Sequence, residues 1–223
     1  MAAAPVVSTA VETGTALRNP PTDEETLSMF TPSDPTVKEI EDRIWNHPVT
    51  QQLLSDPRFS GSRPHLKIPP VMRNQNFTAG ILQGPDLLVV PPLQFTTKDG
   101  SDFVSLQYLG KALCGHPGIV HGGLIGTLLD EGCGRCCFPA LPNRIAVTAS
   151  LKIDYRKPLM AGQIVVLRAQ TVKAEGRKAW VKARLESMPQ GGEGSEGKVE
   201  IFAEAEALFI EPKGAKNMLS VPV

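Results

Sequence analysis

Residues 115–138 read GHPGIVHGGLIGTLLDEGCGRCCF, and this stretch decides the fold. From Gly122 onward the spacing predicts one long helix. Leu124, Ile125, Leu128 and Leu129 give it apolar faces broad enough for a helix surrounded by other structure. Gly126, Gly132 and Gly134 lie inside it, each costing about 1 kcal/mol relative to alanine in an exposed helix. Small residues are tolerated at such a cost where another backbone must approach closely.

Strand-like runs follow the helix in close order. IAVTASLKIDY (145–155) alternates, with Val147, Ala149, Leu151, Ile153 and Tyr155 assigned to one face. QIVVLRAQTVKA (163–174) and KAWVKARLES (178–187) are joined by Glu175-Gly176-Arg177, a short hairpin connection. After a Gly/Glu/Ser loop at 188–197, VEIFAEAEALFIE (199–211) alternates again. Upstream, LLVVPPLQF (87–95) is a strand interrupted or started by Pro91-Pro92, and FVSLQYLG (103–110) is another. One central helix beside a run of antiparallel strands predicts an α+β domain, with a curved sheet wrapped around the helix.

The rest of the chain divides by composition. Residues 1–35 are rich in Pro, Thr, Ser and Ala and read as a disordered tail. Residues 36–75 read as a helical extension and linker. Val37, Ile40 and Ile44 recur at helical spacing after the cap candidates Ser33-Asp34-Pro35, and a second helical piece runs through TQQLLSDP. Pro57, Pro64, Pro69 and Pro70 then mark an irregular linker. The domain proper is expected at 76–212, with a C-terminal tail at 213–223.

The 223 residues are 41% hydrophobic and 21% charged, with formal net charge +0. No global basic field draws nucleic acid or an anionic membrane, so neither is an expected partner. No apolar run of membrane-spanning length is present. Four cysteines, three bunched at Cys133, Cys136 and Cys137, do not form a secreted disulfide framework, which predicts a reducing compartment. The opening residues lack a secretory pattern. They are Ala/Thr/Ser-rich with Arg18 but also Glu12, so the cytosol is expected, with the mitochondrion as alternative.

HGGLIGTLLDE, then VTASLKIDYRKPL, then VKAEGRKAWVKARL, closely resembles the acyl-CoA thioesterase branch of the hotdog superfamily. The likeness is nearest to the mammalian thioesterase-superfamily-member proteins acting on long-chain acyl-CoA, and extends to bacterial phenylacetate-pathway thioesterases. It covers about residues 85–212. His-Gly-Gly alone is a weak signal; with an aspartate nine residues after the histidine and T-A-x-L-x-I-x-Y-x-x-P beyond, it is specific. The resemblance implies a hotdog fold, a homodimer or dimer of dimers, and hydrolysis of acyl-CoA to free acid and CoA without a cofactor. It assigns Asp130 as base or nucleophile, Gly122 and Gly123 as oxyanion donors, and His121 to orienting the site. Thr148 matches a threonine placed beside the reacting water.

The chemistry agrees with these assignments. Thioester hydrolysis needs a carboxylate and donors for the developing oxyanion. N–H groups at a helix start lack intrahelical partners and lie at its positive end. Small neighbours of Asp130 (Gly126, Thr127, Cys133 and Gly134) form a stripe with room for a substrate. Gly122 and Asp130, eight residues apart, stand about 12 Å apart along one helix. A single helix therefore cannot present both to one thioester, whereas two antiparallel helices of a dimer can.

Other readings of the same residues stand beside these. Asp130 can be a solvated helix residue, and His121 a structural cap. Glu131 competes with Asp130, although Arg135 four residues on makes it a candidate for a surface ion pair. Strict alternation turns Thr148 away from the core, unless a bulge re-aims it or it lines a subunit interface. Cys114, His116, His121, Cys133 and Cys136 are zinc-ligand types, but Cys133 and Cys136 are one helical turn apart with no second compact pair, so no metal is expected. A Cys133 nucleophile is a further option. Arg156-Lys157 and Arg177-Lys178, at strand ends, are candidates for gripping CoA phosphates or a merely solvated rim. The competing functions are release of an acyl or polyketide chain from a carrier, and non-catalytic acyl-CoA binding with residues 1–75 as an interaction arm.

Overall fold

The computed structural model describes residues 19–189 and 199–218. Helix α4 (Gly122–Cys137) lies at its centre, with buried Leu124, Ile125, Leu128, Leu129 and Cys133 in one core. Around it runs an antiparallel sheet in the order β1-β2-β3-β7-β8-β9-β6. These strands are β1 (Phe59–Ser62), β2 (Leu93–Thr97), β3 (Asp102–Leu109), β6 (Val147–Tyr155), β7 (Gln163–Glu175), β8 (Lys178–Ser187) and β9 (Ile201–Ile210). Two short strands, β4 (Cys114–His116) and β5 (Ile119–Val120), form a separate ladder leading into α4. This helix-in-sheet arrangement is the hotdog fold.

The run IVVL in β7 has no polar alternation because both sheet faces are covered there. Val165 and Leu167 pack toward α4, whereas Ile164 and Val166 join a second core. That second core is made with α2 (Pro35–Trp45) and α3 (Pro48–Ser55), through Val37, Ile40, Ile44 and Leu53. Asp34 caps α2, its carboxylate accepting from the N–H groups of Thr36 and Val37.

Two N-terminal expectations change. The segment 57–75 is not an irregular linker: β1 pairs with β2 in register Phe59↔Thr97, so it extends the sheet. The disordered tail assigned to 1–35 contains α1 (Asp23–Ser28) with buried Thr26; residues 1–18 lie outside the described residues. The physical reason is Arg63, fully buried, which bonds the Pro91 carbonyl and the Glu41 carboxylate (2.5 Å), while its N–H donates to Thr26 Oγ1. One residue, through its backbone N–H and its guanidinium, thus ties α1, α2 and the entry to β2 together. The C-terminal 213–218 carries a single 3-10 turn with buried Ala215, and 219–223 are outside the described residues.

The glycines in α4 also differ from expectation, because side chains, not a backbone, approach them. A Cβ on Gly132 would lie 2.5 Å from Leu167 Cδ2, one on Gly126 3.2 Å from Ile153 Cδ1, and one on Gly134 3.2 Å from both Phe138 and Phe209. Of the stripe read as room for a substrate, Gly126 and Gly134 are covered by side chains and Cys133 is buried, whereas Thr127 lines an open groove.

Candidate active site

The site forms where β6, the edge strand, crosses α4. At the start of α4, His121 is extended (φ −61°, ψ 128°) and its Nδ1 accepts from the Gly123 N–H at 2.9 Å. Accepting that bond requires an unprotonated Nδ1, so the ring is the tautomer carrying its proton on Nε2. The N–H groups of Leu124 and Ile125 donate to the His121 carbonyl. In this first turn Gly122 is the residue whose N–H has no acceptor among the described residues. The sequence placed Gly122 and Gly123 together as donors; the structure leaves Gly122 free and occupies Gly123 with the His121 ring.

Two turns along, Asp130 faces the same strand, and Thr148 Oγ1 donates to Asp130 Oδ1 at 2.7 Å. Alternation alone would turn Thr148 outward. The structure resolves this through a register shift: Thr148 pairs with Phe209 and Ser150 with Leu208, leaving Ala149 as the extra residue of a bulge. Leu151, Ile153 and Tyr155 oppose Ala207, Ala205 and Ala203, and past the bulge the helix-facing place opposite Phe209 falls to Thr148. Val147, assigned to the apolar face, is consequently 51% exposed, and Ala149 is exposed as well.

Tyr155 was also assigned to the core face. The residue is 54% exposed, and its hydroxyl donates to the Gly122 carbonyl at 2.8 Å. The tyrosine pins the far end of β6 to the start of α4. No signal beyond the T-A-x-L-x-I-x-Y spacing marked that contact.

Glu131, the rival carboxylate, points elsewhere. It accepts from Thr78 Oγ1 at 2.7 Å, and burial raises its pKa above the ordinary carboxylate value. The expected surface pair with Arg135 is therefore not at the surface: desolvation also pushes the Arg135 guanidinium below its ordinary value. Cys133, Cys136 and Cys137 are buried in the core, and desolvation pushes their thiols up, to about 11 for Cys136 and about 12 for Cys137. A thiol so held is a poor nucleophile. Among the described residues no group of three or more His, Cys, Asp and Glu is placed to hold a metal.

The basic pairs are separated. Lys178 opposes Ile210, which opposes Val147, whereas Arg156 follows Tyr155 at the other end of β6. Eight residues of strand place these ends about 26 Å apart. Arg156 is engaged by Glu204 (2.7 Å), Lys157 by Glu200 (2.8 Å), and Arg177 donates to the Glu211 carbonyl (2.8 Å).

Beside His121, Gly123 and Thr127 opens an apolar groove of about 430 Å³ lined by Phe77, Leu82, Leu87, Leu113 and Leu124. Phe77 and Leu82 come from the segment just before β2, which the sequence did not connect with the site.

Residues 117–192 match the thioesterase superfamily. Over 88% of this chain and 80% of the relative, the sequence is 31% identical to the acyl-coenzyme A thioesterase THEM4 of Mus musculus. The chain belongs to the thioesterase superfamily. This thioesterase is also 33% identical to an uncharacterized mitochondrial protein of Candida albicans, over 74% of this chain and 73% of that one. Among solved structures, the Escherichia coli PaaI protein from the phenylacetic acid degradation operon aligns with a TM-score of 0.43 at 17% identity, covering 51% of this chain and 74% of that one.

Proposed function

We propose that this thioesterase hydrolyses acyl-CoA at Asp130, and the observation that carries the reading is the bulge-dependent hydrogen bond from Thr148. With Oδ1 engaged by Thr148, Oδ2 of Asp130 is the oxygen available to the reaction. As base, it takes a proton from water while the water oxygen bonds to the thioester carbon; as nucleophile, it forms that bond itself and water then cleaves the anhydride. In either route the carbonyl electrons move onto oxygen, a backbone N–H holds the oxyanion, and collapse breaks the C–S bond. The CoA thiolate leaves and is protonated. Gly122 is the favoured donor because its N–H has no acceptor among the described residues. The groove beside His121 suits an acyl chain or the pantetheine arm.

Gly122 and Asp130 belong to two subunits in this reading. They are about 12 Å apart along one helix, too far to act on the same carbonyl. The β6 edge, with exposed Val147 and Tyr155, supports pairing with a second copy across a two-fold axis. The mouse relative's name supports CoA as the carrier, and a role in fatty-acid metabolism follows from that substrate. The Candida relative's name supports the mitochondrial alternative over the cytosol. No helix among the described residues is long and apolar enough to cross a membrane.

Thiol release from a panel of acyl-CoA and acyl-carrier substrates tests the reading. Acyl-CoA should turn over, and Asp130→Asn should abolish turnover while leaving folding and acyl-CoA binding intact. Rates within threefold of wild type for Asp130→Asn would remove Asp130 from the reaction.

A further inference from the structure

A second concavity lies beside the C-terminal half of α4. It has a volume of about 500 Å³ and is built from β1, β2, the β2–β3 turn and the end of α4. Arg58, Lys98, Arg135 and Arg144 line it, together with one acid, Asp23. That acid is already held by Lys67 at 2.6 Å. Arg58 is held by Asp56 through its Nε and Nη2. The charge left over is that of Lys98 and Arg144, with Arg135 partly offset by Glu131.

None of these three forms an ion pair within 4 Å among the described residues. Arg135 is half-buried, and Glu131, which accepts from Thr78, offsets part of its charge from beyond ion-pair distance. Gln94 also lines the cavity and is 6% exposed, with its amide oxygen buried without a hydrogen-bond partner among the described residues. The amide NH₂ is the donor it can offer a ligand. Arg144 is presented by a turn pinned from below, where Glu211 accepts from the Asn143 N–H (2.8 Å) and Nδ2 (2.6 Å). Its own backbone is in the left-handed region, φ 55°.

We propose that this cavity binds the phosphate groups of a small molecule. Guanidinium forks match phosphate oxygens in pairs, a lysine adds a point charge, and a buried amide donor adds direction. The phosphates have two possible sources, the nucleotide end of CoA or a separate phosphorylated molecule. Arg144 follows Asn143, which bonds Glu211, and Glu211 in turn accepts from Arg177, so the cavity's rim is linked to the basic turn considered for CoA. Direct binding is read without hydrolysis, so the phosphate site and the thioesterase reading fail separately.

The test is calorimetric titration of the full chain with pyrophosphate and with adenosine 3′,5′-bisphosphate. The variant is Lys98→Ala combined with Arg144→Ala, both exposed side chains. Wild type should bind at least one probe, with affinity falling as salt rises, and the double variant should bind at least tenfold more weakly with an unchanged melting temperature. Arg135→Gln should show the same loss. If the double variant also raises KM for acyl-CoA but not for a short pantetheine thioester, the phosphates are those of CoA; an unchanged KM ratio assigns them to a separate molecule. No binding of either probe at millimolar concentration, or binding that both variants retain, overturns the proposal.

Discussion

Replacing Thr148 by valine removes one oxygen and keeps the branched shape, so it isolates the hydrogen bond to Asp130. A hydrogen bond to a charged group contributes about 1.5–3 kcal/mol. Thr148 is exposed and Asp130 only half-buried, so water can partly replace the hydroxyl, and the lower end applies. About 1.5 kcal/mol corresponds to roughly a tenfold loss in kcat. KM should hardly change, because the lost contact orients the carboxylate and does not touch the CoA portion. Thr148→Ser should restore most of the rate. Steady-state thiol release by wild type, Thr148→Val and Thr148→Ser is the assay. A Thr148→Val rate within about twofold of wild type, or a Thr148→Ser rate no better than that of Thr148→Val, would show that the hydroxyl does not act on Asp130.

The composite site is tested by mixing inactive Asp130→Ala and Gly122→Pro. Random reassortment should restore about a quarter of wild-type activity through hybrid dimers, and background activity with confirmed subunit exchange would rule out a shared site. Gly132→Ala should lower the urea midpoint, because its Cβ would sit 2.5 Å from the buried Leu167 side chain. Overpacking of about 1–3 kcal/mol outweighs the helix-propensity gain of about 1 kcal/mol, and an unchanged midpoint would refute the tight contact. His65 is 4% exposed with both ring nitrogens unpartnered; burial, with Arg135 and Arg73 nearby, pushes it down to about 3. The unfolded chain therefore takes up a proton below pH 6.5 that the folded chain refuses, so stability falls from there toward pH 3, by up to about 1.4 kcal/mol per pH unit. His65→Leu should flatten that slope in denaturation curves at pH 6.5 to 4.5, and parallel curves would refute it.

Helix α4 and strands β6, β8 and β9 were legible because their periods of 3.6 and 2 run long enough to mark an element, and β7 because its apolar run is bounded by turn residues. Asp130 stood out as a candidate through its spacing from His121. The orientation of Thr148 was not, since the bulge at Ala149 has no local mark: an alanine in a Thr-Ala-Ser run fits a regular strand equally well. Strand β1, FSGS, lacks the β-branched residues that announce a strand, and it forms because β2 offers an open edge. The free Gly122 N–H and the occupied Gly123 N–H depend on where the His121 ring turns, which is a side-chain torsion and not a pattern. The Gln94 and Arg135 cavity depends on contacts between segments far apart in the chain.

The cover that α2 and α3 form over the outer sheet face has a consequence for how the chain folds. Ile40 and Ile44 leave the ribosome more than a hundred residues ahead of Ile164 and Val166, the strand residues they pack against. An isolated 11-residue helix such as α2 is marginal in water, so its apolar stripe stays unsheltered while the rest of the sheet is synthesised. Closing so long a loop costs entropy before any burial offsets it. Docking of α2 and α3 is therefore a late event, and until it occurs Val104, Leu106, Ile164 and Val166 present a sticky apolar surface to other nascent chains.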